Sequence, residues 1–348
     1  MEMTNKKINS TDWGIRDYEE ELFERELESF VPDKIFDAHV HIFNKSYLSG
    51  EFPECITKSP VDNMTIAKYK KYMEEIMPGR EISGLFFGWV KSGENFDVDL
   101  DRTNKFVSEQ VSEDPDCSGS MIVAPDMDSE FIRQEVRRLK LSGLKCYCYY
   151  SQKKQGNFAD IEDYLPEDQV KVANEENLAI TLHLVKERGL ADKKNQETII
   201  RYCRKYPNMR MILAHCGRGF TPYHVLEGIS AVKKLDNIWF DSAAVTEPAT
   251  FEIIIREVGH IRLLYGSDFP VSHYYGRSFA VGDSFLWIHE NDIKNISKLV
   301  SYANIKPVMI GIESLRCLKL ATLNLKLNDS QIEDIFYNNA RKFFNLKV

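Results

Sequence analysis

No apolar run in this 348-residue sequence reaches the roughly 18–20 residues that a membrane-spanning helix needs. Basic charge is in deficit: 45 Lys and Arg stand against 53 Asp and Glu, a formal net charge of −8. A net negative chain repels phosphate, so nucleic acid and anionic membrane surfaces are poor partners, while a local basic pocket for a small acid is still allowed. Cysteine offers no framework. The seven cysteines are odd in number and scattered, and Cys146 and Cys148 form C-x-C rather than C-x-x-C, so neither a disulfide scaffold nor a zinc knuckle is indicated. Cys146, Cys148, Cys203 and Cys216 lie in apolar runs, as buried reduced thiols do, which fits a cytoplasmic protein. Residues Met1 to Asp33 are charged and polar, unlike a secretory signal. They read as a polar N-terminal extension to one domain over 34–348. Internal repeats and low-complexity tracts are also missing.

What is there is a rhythm. Short β-rich apolar runs alternate with longer amphipathic stretches. The predicted strands are Ile35–Ile42, Ile82–Val90, Gly119–Ala124, Gly143–Tyr150, Leu178–Leu184, Met209–His215, Asn237–Ala243 and Ile261–Ser267. Their centres are apolar on both faces, as in parallel strands covered by helices. Helical spacing falls between them, at Glu130–Leu141, Glu167–Asn177, Gln196–Tyr206, Pro222–Leu235 and Phe251–Val258. Thr221 is a candidate N-cap with Pro222 at the first helical position. Ser330-x-x-Glu333 reads as a capping box opening the last helix. Eight alternations predict an α/β fold, a single (β/α)₈ TIM barrel. Phe43–Arg80, with a helix over Thr65–Met77, and Phe269–Asn295 break the rhythm as loop insertions after strands 1 and 8. Both leave C-terminal strand ends, where barrel enzymes build their sites.

Side chains alternate faces along a strand, so His39 and His41 in Asp37-Ala38-His39-Val40-His41 point the same way. Two imidazoles on one side of a strand end are natural metal ligands. His183 ends the fifth predicted strand, His215 the sixth, and Asp268 follows the eighth. One rim of one barrel would bring all five side chains together.

The order His-x-His, strand-end His, His215-Cys216-Gly217, then Gly266-Ser267-Asp268-Phe269-Pro270 resembles the amidohydrolase superfamily. It is most similar to the amidohydrolase-related branch of aminocarboxymuconate-semialdehyde decarboxylase, benzoate-type decarboxylases and dicarboxylate lactonases. The resemblance covers roughly Asp33 to Leu346. Gly143-Leu144-Lys145 resembles the branch's Gly-x-Lys strand, and Tyr337–Phe344 its closing helix. It implies one divalent metal, zinc first and manganese next, held by His39, His41, His183 and Asp268. It implies Asp268 as proton acceptor and His215 as the polarising or acid–base residue. The chemistry agrees: a bound divalent cation lowers its water's pKa to about 7 and polarises a substrate oxygen.

Other residues carry weaker expectations. Asp37 shares the face of His39, as an orienting group for an imidazole or simply at the strand start. Lys145 reads as a contact for a substrate carboxylate, or as a carboxylated bridge between two metals. Where many of the branch carry a histidine, this chain has Tyr147. Arg218, His273 and Arg277 are candidates to meet the substrate or line its entrance. The expected activity is hydrolysis of a small ester, lactone or amide carrying a carboxylate. Decarboxylation and a non-catalytic ligand-binding barrel are the alternatives. Homodimers are an analogy from the branch.

Overall fold

The computed structural model describes residues 13–154, 156–299 and 305–346. The strands of the main sheet are β1 (Lys34–Asn44), β2 (Glu81–Gly88), β3 (Ser118–Val123), β4 (Gly143–Cys146), β5 (Ala179–Leu182), β6 (Arg210–Leu213), β7 (Ile238–Asp241) and β8 (Leu263–Leu264). They pair in sequence order and all in parallel. A ninth short strand, Asn63–Met64, runs antiparallel on the outer end of β1. The sheet curls into a TIM-barrel-like form. Its two ends meet through Ala38 N–H to Tyr265 O (2.8 Å), Asp268 N–H to His39 O (3.0 Å) and His41 N–H to Phe269 O (2.9 Å).

All eight predicted strands exist, but some are shorter than the sequence suggests. β4 stops at Cys146, and Cys148–Tyr150 form a 3₁₀ turn. β8 has two residues, because the next amide, Tyr265 N–H, is given to Ile335 O of the C-terminal helical segment. β6 ends at Leu213, before His215.

Period-2 alternation sorts the side chains. One face of the strands supplies Phe36, Ala38, Leu85, Phe87, Ala179, Ile212 and Leu264, a dry inner cluster. Ala340, Phe343 and Phe344 of the last helix close its lower end, with Phe344 stacked on Phe36. Burying each such phenylalanine contributes about 1.5–3 kcal/mol. Two residues further along their strands, the same face turns polar: Lys145 after Gly143, Thr181 after Ala179, Asp241 after Trp239. The opposite face packs against the surrounding helices in the larger cluster.

The helices are close to expectation: Ile66–Ile76, Ser129–Arg138, Glu167–Glu175, Lys193–Lys205, Pro222–Val232 and Pro248–Val258. Pro222 occupies the first helical turn as predicted. The capping box near the end is a correction. It is formed by Asn328 and Gln331 rather than Ser330 and Glu333, and the helix opens at Asp329.

The N-terminal reading also changes. Residues 1–12 lie outside the described residues, but Trp13, Leu22, Phe23, Leu27, Phe30 and Val31 are buried against the main core. The segment after β1 carries a short helix and the helix Ile66–Ile76. The segment after β8 carries an antiparallel hairpin, β9 (Gly276–Val281) and β10 (Ser284–His289). All seven cysteines are free and buried. Among the described residues no helix is long and apolar enough to cross a membrane.

Candidate metal centre

β1 carries His39 and His41 into the upper barrel, His39 within and His41 just beyond a register shift between Asp37 and Val40. Each ring has one nitrogen committed. His39 Nδ1–H donates to Asp241 Oδ2 at 2.8 Å, and His41 Nδ1–H donates to the Gly88 carbonyl at 2.9 Å. That fixes the tautomer and leaves both Nε2 atoms as unprotonated acceptors, with Lys145 Nζ donating to that of His39 at 3.2 Å. They turn toward Asp268 Oδ1, 3.4 Å from His39 Nε2 and 3.9 Å from His41 Nε2. Ligand atoms of His39, His41 and Asp268 thus lie within 4.8 Å of one another, and all three residues are buried. Two neutral imidazole nitrogens and a carboxylate converging in a dry pocket match the donor set of a divalent cation.

Asp268 sits on a strained turn. Its φ is +59°, in the left-handed region that asparagine and aspartate tolerate best. The turn is pinned by Asp37, whose Oδ1 accepts from Ser267 N–H (2.8 Å) and His39 N–H (3.1 Å) and whose Oδ2 accepts from Tyr69 OH (2.7 Å). Asp37 therefore orients backbone and touches no imidazole ring, which corrects one of its two expected roles.

His215 follows β6 in a run of left-handed residues from His215 to Arg218 rather than at a strand end. This run turns the ring back over the site, 5.0 Å from His39 and 4.9 Å from His183 between centroids. His215 Nδ1–H donates to Ala243 O (2.8 Å), so the neutral ring presents Nε2 as an acceptor, 3.2 Å from His183 Nδ1. His183 thus stands beside the cluster of three, in contact with His215.

Sequence reasoning missed Asp241. It takes the His39 ring on Oδ2, and its Oδ1 accepts from His215 N–H (2.7 Å) and Ala243 N–H (3.2 Å). One carboxylate thus orients both an imidazole and the turn carrying another. The available signal was its position at the end of the seventh strand, a strand-end carboxylate as Asp268 is after the eighth.

Burial sets the protonation states. It pulls His39, His41 and His183 well below the usual imidazole value, with Lys145 adding to the effect. It brings His215 down to about 4, against the pull of Asp241. It raises Asp268 well above a normal carboxylate, with Lys145 opposing, and raises Asp241 against the pull of His215. Lys145 is brought down to about 8 by the same burial. Its Nζ lies 3.2 Å from His39 Nε2 and 4.5 Å from the Phe87 ring centre, in the middle of the site.

The remaining candidates divide. Tyr147 packs edge-on against His183, 4.8 Å away. Arg218 is half-buried, has no carboxylate partner within the ion-pair distance among the described residues, leaves its buried Nε unsatisfied and reaches Asn157 Oδ1 at 3.2 Å. Phe220, stacked near His215, carries Phe285 and Trp287 of the hairpin over this side.

His273 and Arg277 both have protein partners. His273 is buried with Nε2 on Tyr72 O (3.3 Å) and Nδ1 near Ser272 Oγ (3.2 Å), among aromatic rings. Arg277 binds Thr246 O (2.7 Å) and pairs with Glu313 (3.8 Å), clamping the hairpin to the barrel. A cavity of about 520 Å³ lined by Lys91, Asp126, Tyr149 and Tyr150 lies at the ends of β2 to β4, and no site histidine lines it.

The curled parallel sheet thus carries at its C-terminal ends a histidine and aspartate set that could hold a divalent metal. The family profile described as Amidohydrolase matches residues 36–346, and the chain belongs to that family. No curated protein matches it. Among solved structures it is similar to a dihydroxybenzoic acid decarboxylase from Polaromonas sp. JS666 with bound manganese and 2-nitroresorcinol (TM-score 0.57, 15% identity, 90% of this chain and 98% of that one). It is similar to 5-carboxyvanillate decarboxylase from Novosphingobium aromaticivorans with bound manganese (0.57, 12%, 92% and 98%). It is also similar to a probable 2-pyrone-4,6-dicarboxylic acid hydrolase from Acinetobacter baumannii with bound citric acid (0.55, 13%, 90% and 99%). At such identities these likenesses carry the fold. The chain is an enzyme of the amidohydrolase superfamily whose centre can hold a divalent metal.

Proposed function

We propose that this protein is a metal-dependent hydrolase that opens an ester, lactone or amide in a small substrate carrying a carboxylate. The observation that carries this reading is the set of unprotonated ring acceptors and a carboxylate converging on one point. His39 and His41 give their Nδ1–H groups to Asp241 and Gly88 and turn Nε2 toward Asp268. One divalent cation, zinc first and manganese next, would be held by His39, His41 and Asp268, with His183 as a further imidazole. When bound, such a cation lowers the pKa of water and polarises a carbonyl. Asp268 takes the proton of the attacking water and hands it to the leaving group. His215 rests as a base, because its neutral ring gives Nδ1–H to Ala243; it stabilises an oxyanion only after taking a proton. Lys145, Tyr147 and Arg218 face the substrate. The half-buried Arg218 guanidinium has no carboxylate partner among the described residues, and a substrate carboxylate could pair with it.

Non-oxidative decarboxylation is the second reading. Lys145 favours it, because an ammonium 3.2 Å from His39 Nε2 can hold a carboxylate against the metal. In that reaction a proton goes to carbon and water does not attack. The metal-loaded enzyme is offered lactone carboxylates and hydroxylated aromatic acids in ¹⁸O-water. Heavy oxygen in the product without CO₂ supports hydrolysis. CO₂ without heavy oxygen moves the assignment to decarboxylation. No turnover across the panel favours a barrel that only binds.

A further inference from the structure

We propose that the N-terminal segment Trp13–Glu19 is a strap that holds the Asp268 turn in register with His39 and His41, with Trp13 as its positioning residue. The inference rests on the reading of Asp268 as a metal-side residue.

Phe269 follows Asp268, and its ring sits in an aromatic box. Tyr69 approaches at 5.2 Å, His273 at 5.0 Å and Trp13 at 5.7 Å between ring centres. Trp13 also meets Tyr72 (5.7 Å) and His273 (5.9 Å) and is buried. The backbone of Phe269 accepts from His41 N–H, while Asp268 N–H donates to His39 O. A shift of the Phe269 ring therefore moves the carboxylate relative to both imidazoles. Asp37 pins the turn from its other side through Ser267 N–H. A left-handed aspartate persists only when its surroundings over-determine it, and Trp13 is part of that surrounding.

The strap is latched along its length. Ile15 N–H donates to Glu75 (3.3 Å), and Arg16 pairs with Glu290 (2.7 Å) and lies 3.6 Å from the Tyr275 ring centre. Tyr275 OH meets Gly14 O (3.0 Å) and Glu19 Oε2 (2.9 Å). Glu19, fully buried, accepts from Met309 N–H at 2.8 Å on its other oxygen. Tyr18 OH donates to Pro307 O. Residues far apart in sequence, the chain's start and the segment after β8, thus form one packed unit behind Asp268. This network is more than the packing of an N-terminal arm, because its innermost ring touches the residue next to the carboxylate.

The test uses the full-length chain with Trp13→Ala, Trp13→Phe and Arg16→Gln, the last loosening the latch without opening a core cavity. Hydrogen exchange of the metal-free protein reads the strap, and Mn²⁺ titration against a chelating dye reads its consequence. The expected result is faster exchange confined to the strap and residues 265–271, with the strand Ser118–Val123 unchanged. Mn²⁺ affinity should fall about tenfold, the lower end of the loss seen when groups orienting metal ligands are removed. Trp13→Phe should restore both, and Arg16→Gln should give the same pattern more weakly, also if Trp13→Ala does not fold. Faster exchange limited to residues 13–30, uniform acceleration across the barrel, or unchanged Mn²⁺ affinity would each overturn the proposal. If the parent chain binds neither Mn²⁺ nor Zn²⁺, the proposed function falls and exchange at 265–271 alone decides the strap.

Discussion

Asp241→Asn isolates the part of the centre that was hardest to foresee. Asp241 Oδ2 takes the His39 Nδ1–H at 2.8 Å, while Oδ1 takes two backbone amides, His215 and Ala243. In asparagine one oxygen can keep both amides, and the NH₂ then faces a ring N–H. Two donors cannot share that contact, so the ring must move its proton to Nε2 or turn away. Either response takes the lone pair from the point facing Asp268. Loss of a group that orients a metal ligand typically costs about 10–100-fold in metal affinity or activity, equivalent to about 1.4–2.8 kcal/mol. Alanine is the wrong probe. It would strand three buried donors at about 1–3 kcal/mol each, against a total stability of about 5–15 kcal/mol. Competition titration of Zn²⁺ or Mn²⁺ at pH 7.5 measures the effect, with thermal unfolding as a control. Affinity within twofold of the parent would refute the argument that Asp241 sets the His39 tautomer.

Tyr69→Phe removes one buried hydrogen bond to Asp37 at 2.7 Å and is expected to cost about 1–3 kcal/mol in urea unfolding, with metal stoichiometry intact. His273→Gln should lower stability at pH 7.5, since both ring nitrogens face protein partners. The same variant carries a pH signature. Burial brings His273 down to about 4, below its unfolded value near 6.5, so the unfolded state binds the extra proton between these limits. The contribution of His273 is therefore present above pH 6.5 and is lost as pH falls toward 4. The stability deficit of His273→Gln should shrink by about 3 kcal/mol over that window, and urea midpoints at several pH values would show a constant deficit if the reasoning were wrong.

The strands were legible because parallel strands covered on both faces read as short apolar runs, as in Ser118–Val123 and Ala179–Leu182. The His39–His41 pair was legible because alternation along β1 survives its register shift in direction if not in spacing. Two kinds of feature escaped. Hydrogen-bond partners distant in sequence decide whether a carboxylate serves backbone or ring. Asp37, near His39 in sequence, holds Ser267 and Tyr69, whereas Asp241, far from it, holds the ring. Aromatic loops look alike whether they line a pocket or pack inside. His273 reads as an entrance residue until Trp13 and Tyr72 are seen against it. Left-handed backbone at His215 to Arg218 has no apolar period to announce it, so a tight turn was read as more strand.

The central claim is a single metal ion held by His39, His41 and Asp268, and elemental mass spectrometry tests it most directly. Full-length protein purified without added metal, then reconstituted with Zn²⁺ or Mn²⁺, should carry about one equivalent of divalent metal per chain. A His39→Ala/His41→Ala double variant, folded by circular dichroism, should carry none. Equal metal in parent and variant, or none in the reconstituted parent, would contradict the account.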